Sequence, residues 1–160
     1  MLLDDEENIL KSLNRTLRRF ESWDVEAYTL PEDAFKRAQS CIFDVIISDY
    51  HMPNMNGVEF LSEIKKLQPD AMRILLTGHV DINVLLDALN TANAFRFIPK
   101  PWNDDALITI IDEALMYKDI ISENKMLAAQ VKEQRNELNS LKGAKNAFEI
   151  HSNKQRAMHR

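Results

Sequence analysis

Asp49 follows the apolar run Val45-Ile46-Ile47 and opens the stretch Asp49-Tyr50-His51-Met52-Pro53-Asn54-Met55-Asn56-Gly57. A carboxylate at the end of a buried strand, before a Met-Pro turn and a glycine that opens the next helix, is placed to act as a nucleophile toward a ligand. Three further elements share this setting: the acidic pair Asp4-Asp5, the hydroxyl of Thr77 after Arg73-Ile74-Leu75-Leu76, and Lys100-Pro101 after Phe95-Arg96-Phe97-Ile98. All four lie at the carboxyl ends of candidate strands, where an open α/β sheet binds its ligands. The chemistry open to such a set is phosphoryl transfer to a carboxylate. That reaction needs a nucleophile, a cation against gathering charge and donors for the equatorial oxygens, and positioning and electrostatics supply nearly all of its catalysis. Asp49 can attack in line and become an acyl phosphate. Asp4 and Asp5 bring two more carboxylates to the same pocket; three so close raise one another's pKa unless a cation is bound, and hard oxygen donors favour Mg²⁺ with several waters retained. Lys100 offers a point charge to a phosphoryl oxygen, and Thr77 a hydroxyl.

The elements that must position these groups alternate along the chain. Strands are expected at Leu2-Leu3, 25–29, 45–48, 74–76 and 95–98. Between them Ile9, Leu13, Leu17 and Phe20 recur at helical spacing, as do Phe60, Leu61, Ile64 and Leu67, then Ile82, Leu85, Leu86 and Leu89. The pattern is α/β, (βα)5, with a five-stranded parallel sheet wound on both faces. Three glycines and no G-x-G-x-x-G after a strand argue against a dinucleotide or P-loop site.

A fifth helix should begin near Asn103 or Asp104, with acids in its first turn to suit the helix dipole. Leu107, Ile110, Ile111, Ala114 and Leu115 form its sheet-packing face. The spacing then changes to a heptad, with Tyr117, Asn124, Val131 and Leu138 at a and Ile120, Leu127, Gln134 and Leu141 at d. A lone Asn at a fixes register and a two-stranded state, so a homodimer through this C-terminal helix is expected, the alternative being a lone solvated helix or a linker. Gly143 is expected to end the run. The chain thus divides into a domain over 1–116, a coiled-coil helix over 117–142 and a flexible basic tail over 143–160.

With 45% apolar residues the chain can build a core, and its one cysteine, Cys41, forms no internal disulfide. No apolar stretch approaches the roughly 18 residues of a membrane span, and Met1-Leu2-Leu3 runs straight into acids without a signal peptide's basic flank. A cytoplasmic location, away from membranes, is expected. Residues 1–116 carry 11 Lys+Arg against 20 Asp+Glu, a net of −9, whereas 117–160 carry 9 against 5, a net of +4. An acidic body does not invite nucleic acid.

In order and spacing these motifs resemble the receiver domain of two-component response regulators over 1–116. The acid pair, the D-x-x-M-P-x-x-x-G loop, the strand-end hydroxyl followed by Gly78 and the Lys-Pro all match. The resemblance implies a flavodoxin-like fold with strand order 2-1-3-4-5. It implies Asp49 as the acceptor of a phosphoryl group from a sensor histidine kinase or phosphotransfer protein, with no enzymatic activity beyond phosphotransfer and autodephosphorylation. Mg²⁺ would be held by Asp4, Asp5, Asp49 and the backbone carbonyl of His51. Thr77 would be the switch hydroxyl, Lys100 the phosphate-contacting cation and Phe97 the switch aromatic, without the hydroxyl of a Tyr, and the bond before Pro101 would be cis. Residues 95–102 look most like receivers that precede ATPase-type transcription activators or HD-type cyclic-dinucleotide phosphodiesterases. The output would then be the coil and tail, or a domain of some longer protein.

Blander readings stand beside these. His51 and His79 read as exposed loop histidines, Trp102 as a packing residue, and Met52, Met55 and Met72 as turn and core residues. A phosphatase with an Asp nucleophile usually places a second acid where this chain has His51. A receiver-like module that only dimerises would lack Asp49, the acid pair or Lys100, and all are present. One departure concerns the first strand, where three residues precede the acid pair against about five in the family. A strand limited to Leu2 through Asp4 would leave backbone groups of its two neighbours facing a gap, and a looser metal site.

Overall fold

The computed structural model describes residues 1–78 and 82–157. Along the chain run β1 (Leu2–Leu3), α1 (Glu7–Leu17), β2 (Ala27–Tyr28), α2 (Pro31–Ala38), β3 (Val45–Asp49), α3 (Gly57–Leu67), β4 (Met72–Thr77), α4 (Ile82–Thr91), β5 (Arg96–Pro99) and α5 (Asp104–Ala157). The five strands are parallel and lie in the order β2-β1-β3-β4-β5, as expected.

Alternation along the strands builds two cores, one on each face of the sheet. Leu3, Ile46 and Leu75 pack with Ala34 and Ala38 of α2, Phe60, Leu61 and Ile64 of α3, and Ala88 of α4. Leu2, Ile47, Ile74 and Leu76 pack on the other face with Leu10, Leu13 and Leu17 of α1 and Leu107, Ile111 and Ala114 of α5. Both faces of the inner strands are covered, which is why they read as unbroken apolar runs. Trp102 is partly buried against the second core, and Met72 is buried within it.

Several boundaries differ from expectation, each for a local reason. Phe20 keeps the helical spacing but lies beyond α1: its N–H bonds to the Leu17 carbonyl at 3.1 Å, and its ring stacks on Trp23 at 4.4 Å. β2 is short because β1 offers only two residues to pair with. Asp4 lies outside β1, although its N–H still reaches the Tyr28 carbonyl at 3.2 Å. Beyond the start of β1 a cavity of about 530 Å³ opens, lined among others by Met1, Trp23, Val25, Phe43 and Ile111. The Met1 nitrogen donates to the Val45 carbonyl at 2.9 Å along its edge. Gly143 does not end the last helix, which continues to Ala157. A glycine inside a helix costs only about 1 kcal/mol, and no proline follows it.

The chain divides into two compact units, Met1–Lys118 and Asp119–Arg160. In the second, the seam residues Ile120, Leu127, Val131, Leu138 and Leu141 are all exposed. No helix among the described residues is long and apolar enough to cross a membrane.

At the amino ends of β3 and β4 lies a buried polar network. The Gln68 amide accepts from the Phe43 N–H at 2.9 Å and donates to the carbonyls of Ala38 and Cys41 at 2.7 and 2.6 Å. Arg73, 6% exposed in β4, donates to the carbonyls of Ala92 and Ala71, both at 2.7 Å. Its guanidinium thereby ties the end of α4 to the loop between α3 and β4.

Candidate functional site

Asp49 is the last residue of β3 and is 4% exposed. The chain leaves the strand with the Tyr50 N–H bonded to the Leu76 carbonyl at 2.8 Å, and returns with the Gly57 N–H bonded to the Tyr50 carbonyl at 2.9 Å. Asn54 takes φ of 68° in this loop, a conformation asparagine tolerates. Asn56 then caps α3: its side chain accepts from the Glu59 N–H at 2.9 Å, while the Glu59 carboxylate accepts from the Asn56 N–H at 3.0 Å. The Asn and Glu three residues apart carry this capping box in the sequence, a signal left unread above. Gly57 lets the helix start press on the backbone of Asp49, since a Cβ there would lie 2.2 Å from the Asp49 carbonyl oxygen.

The acid pair meets Asp49 from β1. Asp4 is fully buried, and one of its oxygens accepts from the Glu6 N–H at 2.9 Å, whereas Asp5 is exposed. Ligand oxygens of Asp4, Asp5 and Asp49 lie within 4.8 Å of one another. Such a cluster of hard donors fits Mg²⁺.

Lys100 follows β5, and its peptide bond to Pro101 is cis. Its N–H bonds to the Thr77 carbonyl at 2.8 Å, which fixes it against the end of β4. Its ammonium bridges the acids, 2.7 Å from Asp4 and 2.7 Å from Asp49. Sequence reasoning assigned Lys100 only to phosphate and missed this double pairing, for which spacing along the chain holds no signal. Burial raises the Asp49 pKa, the hydrogen bond and charge of Lys100 oppose the rise, and Asp4 and Asp5 add to it. For Lys100, burial works against the charged form, but the bonds to Asp4 and Asp49 outweigh it and its pKa is raised.

Thr77 is 1% exposed at the end of β4, and Phe97 is half-buried in β5 against the first core. His51 is exposed, with its ring edge-on to Tyr50. His79 lies outside the described residues.

Residues 1–112 match the family model of the response regulator receiver domain. Among curated proteins, the hydrogenase transcriptional regulatory protein HoxA of Bradyrhizobium diazoefficiens is 30% identical over 132 residues, 82% of this chain and 27% of that protein. The chain spans about a quarter of the length of such relatives. Among solved structures, the signal receiver domain of an HD domain-containing protein from Pseudomonas fluorescens superposes with a TM-score of 0.71 at 30% identity, covering 74% of this chain and 94% of that one. A response regulator from Burkholderia pseudomallei, solved with a phosphorylated aspartic acid and a calcium ion, gives 0.63 at 27% identity, covering 79% and 71%. With its acids, hydroxyl and lysine gathered at the carboxyl edge of this sheet, the chain belongs to the response regulator receiver domain family.

Proposed function

We propose that this receiver takes a phosphoryl group onto Asp49 from a phosphohistidine of a sensor kinase or phosphotransfer protein. The observation that carries this reading is the convergence of Asp4, Asp49 and Lys100 from three distant strand ends on one buried ion pair network. An Asp49 oxygen attacks phosphorus in line; the O–P bond forms as the P–N bond breaks, and the imidazole nitrogen leaves with the electron pair and takes up a proton. Asp4, Asp5, Asp49 and the backbone carbonyl of His51 would hold Mg²⁺, which when bound would supply charge neutralisation to the phosphoryl group. Lys100 turns from the carboxylates to a phosphoryl oxygen, and Thr77 donates its hydroxyl to another. Because that oxygen exists only in the modified state, it favours a conformation in which Thr77 and Phe97 move toward the pocket and the face made by α4, β5 and α5 changes. Calcium and a phosphorylated aspartate in the Burkholderia regulator support this chemistry by likeness.

The output runs through α5. Its seam associates two copies in a parallel coil, or connects the receiver to an effector domain of the kind that transcriptional regulators such as HoxA carry. Intact-mass analysis after incubation with Mg²⁺ and a small phosphodonor tests the central claim. A single phosphoryl adduct is expected on the wild-type chain and none on Asp49→Asn or in excess chelator. An adduct on the Asn variant would assign the nucleophile elsewhere, and rapid turnover of the donor would favour a phosphatase.

A further inference from the structure

Tyr117 stands where two faces of α5 meet. Upstream, Leu107, Ile111 and Ala114 are buried against the sheet, whereas downstream the seam from Ile120 to Leu141 is exposed. Tyr117 is the first a position of that seam and, at ~100° per residue, lies about 80° around the helix from Leu107. Its ring is 49% exposed and stacks on Phe95, with centroids 5.5 Å apart and planes at 29°. Phe95 is itself held: its N–H bonds to the Arg73 carbonyl at 2.6 Å, and the Arg96 guanidinium lies over its ring at 4.4 Å while reaching Glu113 at 3.6 Å. A ring stacked there cannot also serve as a knob in the hole of a facing helix.

One g–e′ ion pair and the polar matches beside it favour a second copy of this chain as the occupant of the seam. In a parallel pair in register, Glu137 at g faces Lys142 at e of the other helix, Gln130 faces Arg135, and Asn124 meets its mate.

We propose that Tyr117 is a two-position residue: stacked on Phe95 it is withheld from the seam, and released from Phe95 it enters the seam against a second copy as the first a layer. This rests on the association through α5 proposed above. Phe95 stands two residues before Phe97, so a shift of β5 on switching changes the hold on Tyr117 and is read out as a change in dimer affinity.

Sedimentation of the full chain tests the proposal with four variants. Leu127→Asp is expected to dissociate the dimer; if it does not, the α5 seam is not the interface and the proposal falls with that reading. Phe95→Leu removes the stacking ring and is expected to tighten the dimer by ~3- to 10-fold, the scale of one aromatic pair. The tightening should vanish in a Phe95→Leu, Tyr117→Ala double variant, with Tyr117→Ala alone as its reference. Phe95→Met, which keeps the bulk without the ring, serves if Phe95→Leu disturbs the fold. A dimer broken by Leu127→Asp but not tightened by either Phe95 variant, or tightened equally without Tyr117, would overturn the proposal while leaving the coil in place.

Discussion

Lys100 pairs with Asp4 across 96 residues of chain, its ammonium 2.7 Å from a carboxylate oxygen that has no exposure to solvent. A cation belonging to the chain thus sits among the acids. A divalent ion bound by these acids would compete with Lys100 for the same oxygens. Unit charges about 4 Å apart interact by roughly 4 kcal/mol at an effective dielectric of 20, less where water enters. Lys100→Met is therefore predicted to bind Mg²⁺ on the order of tenfold more tightly by calorimetry, while Lys100→Arg stays near wild type. Weaker binding by the Met variant would mean that Lys100 holds the acids in place rather than competing for them.

Burial works against the charge on Asp49, and Lys100 only partly offsets it. Burial puts its pKa above the unfolded value, so the native state binds the proton more tightly, and stability falls as pH rises from the unfolded value of about 3.9 through the folded one. In chelator, Asp49→Asn is predicted to raise the melting temperature by a few degrees near neutral pH and to lose that advantage below about pH 3. A gain of equal size at both ends would assign the effect to something other than ionisation.

Gly57→Ala should be costly although glycine is a poor helix former. The added Cβ meets the Asp49 carbonyl oxygen at 2.2 Å and a Leu75 methyl at 2.8 Å. Backbone cannot yield as a side chain can, so the start of α3 must move away from β3. A loss of about 3 kcal/mol is expected in urea unfolding. An unchanged midpoint would show that α3 shifts freely.

Arg73→Met strips the buried carbonyls of Ala92 and Ala71 of their donor. Each orphaned group costs about 1–3 kcal/mol, so a total near 3 kcal/mol is predicted from denaturant titration. Burial lowers the Arg73 pKa, which means the native state already carries a desolvation penalty for this charge. A neutral or stabilising outcome would show that this penalty cancels the hydrogen bonds.

Asp4, Asp49, Thr77 and Lys100 could be placed from sequence because each ends an apolar run, and a parallel sheet covered on both faces writes its strands that way. The same rule hides Arg73. Inside such a run a charged residue gives no sign that its partners are the carbonyls of Ala71 and Ala92, which belong to turns formed only once α3 and α4 have docked. Gln68 is opaque for the same reason, since its partners Phe43, Ala38 and Cys41 lie 25 to 30 residues away. Phe20 misled because helical spacing records which residues are apolar, not whether the ring that completes the stripe folds back onto Trp23. Gly143 misled because a glycine marks a helix end only when the following residues disfavour helix.

The sheet has a strong half and a weak half. β3 and β4 share five residue pairs and β4 and β5 four, whereas β1 joins each of its neighbours through two. Amide exchange should therefore not be uniform: the β1–β2 side, with the 530 Å³ cavity at its base, opens in partial unfolding events that leave β3, β4 and β5 closed. Asp4 and Asp5 ride on the half that opens, and Asp49 and Lys100 on the half that does not. The ion pair between Asp4 and Lys100 is thus a latch between two cooperative units, and any cation the three acids share would slow the escape of protons from amides far from the pocket.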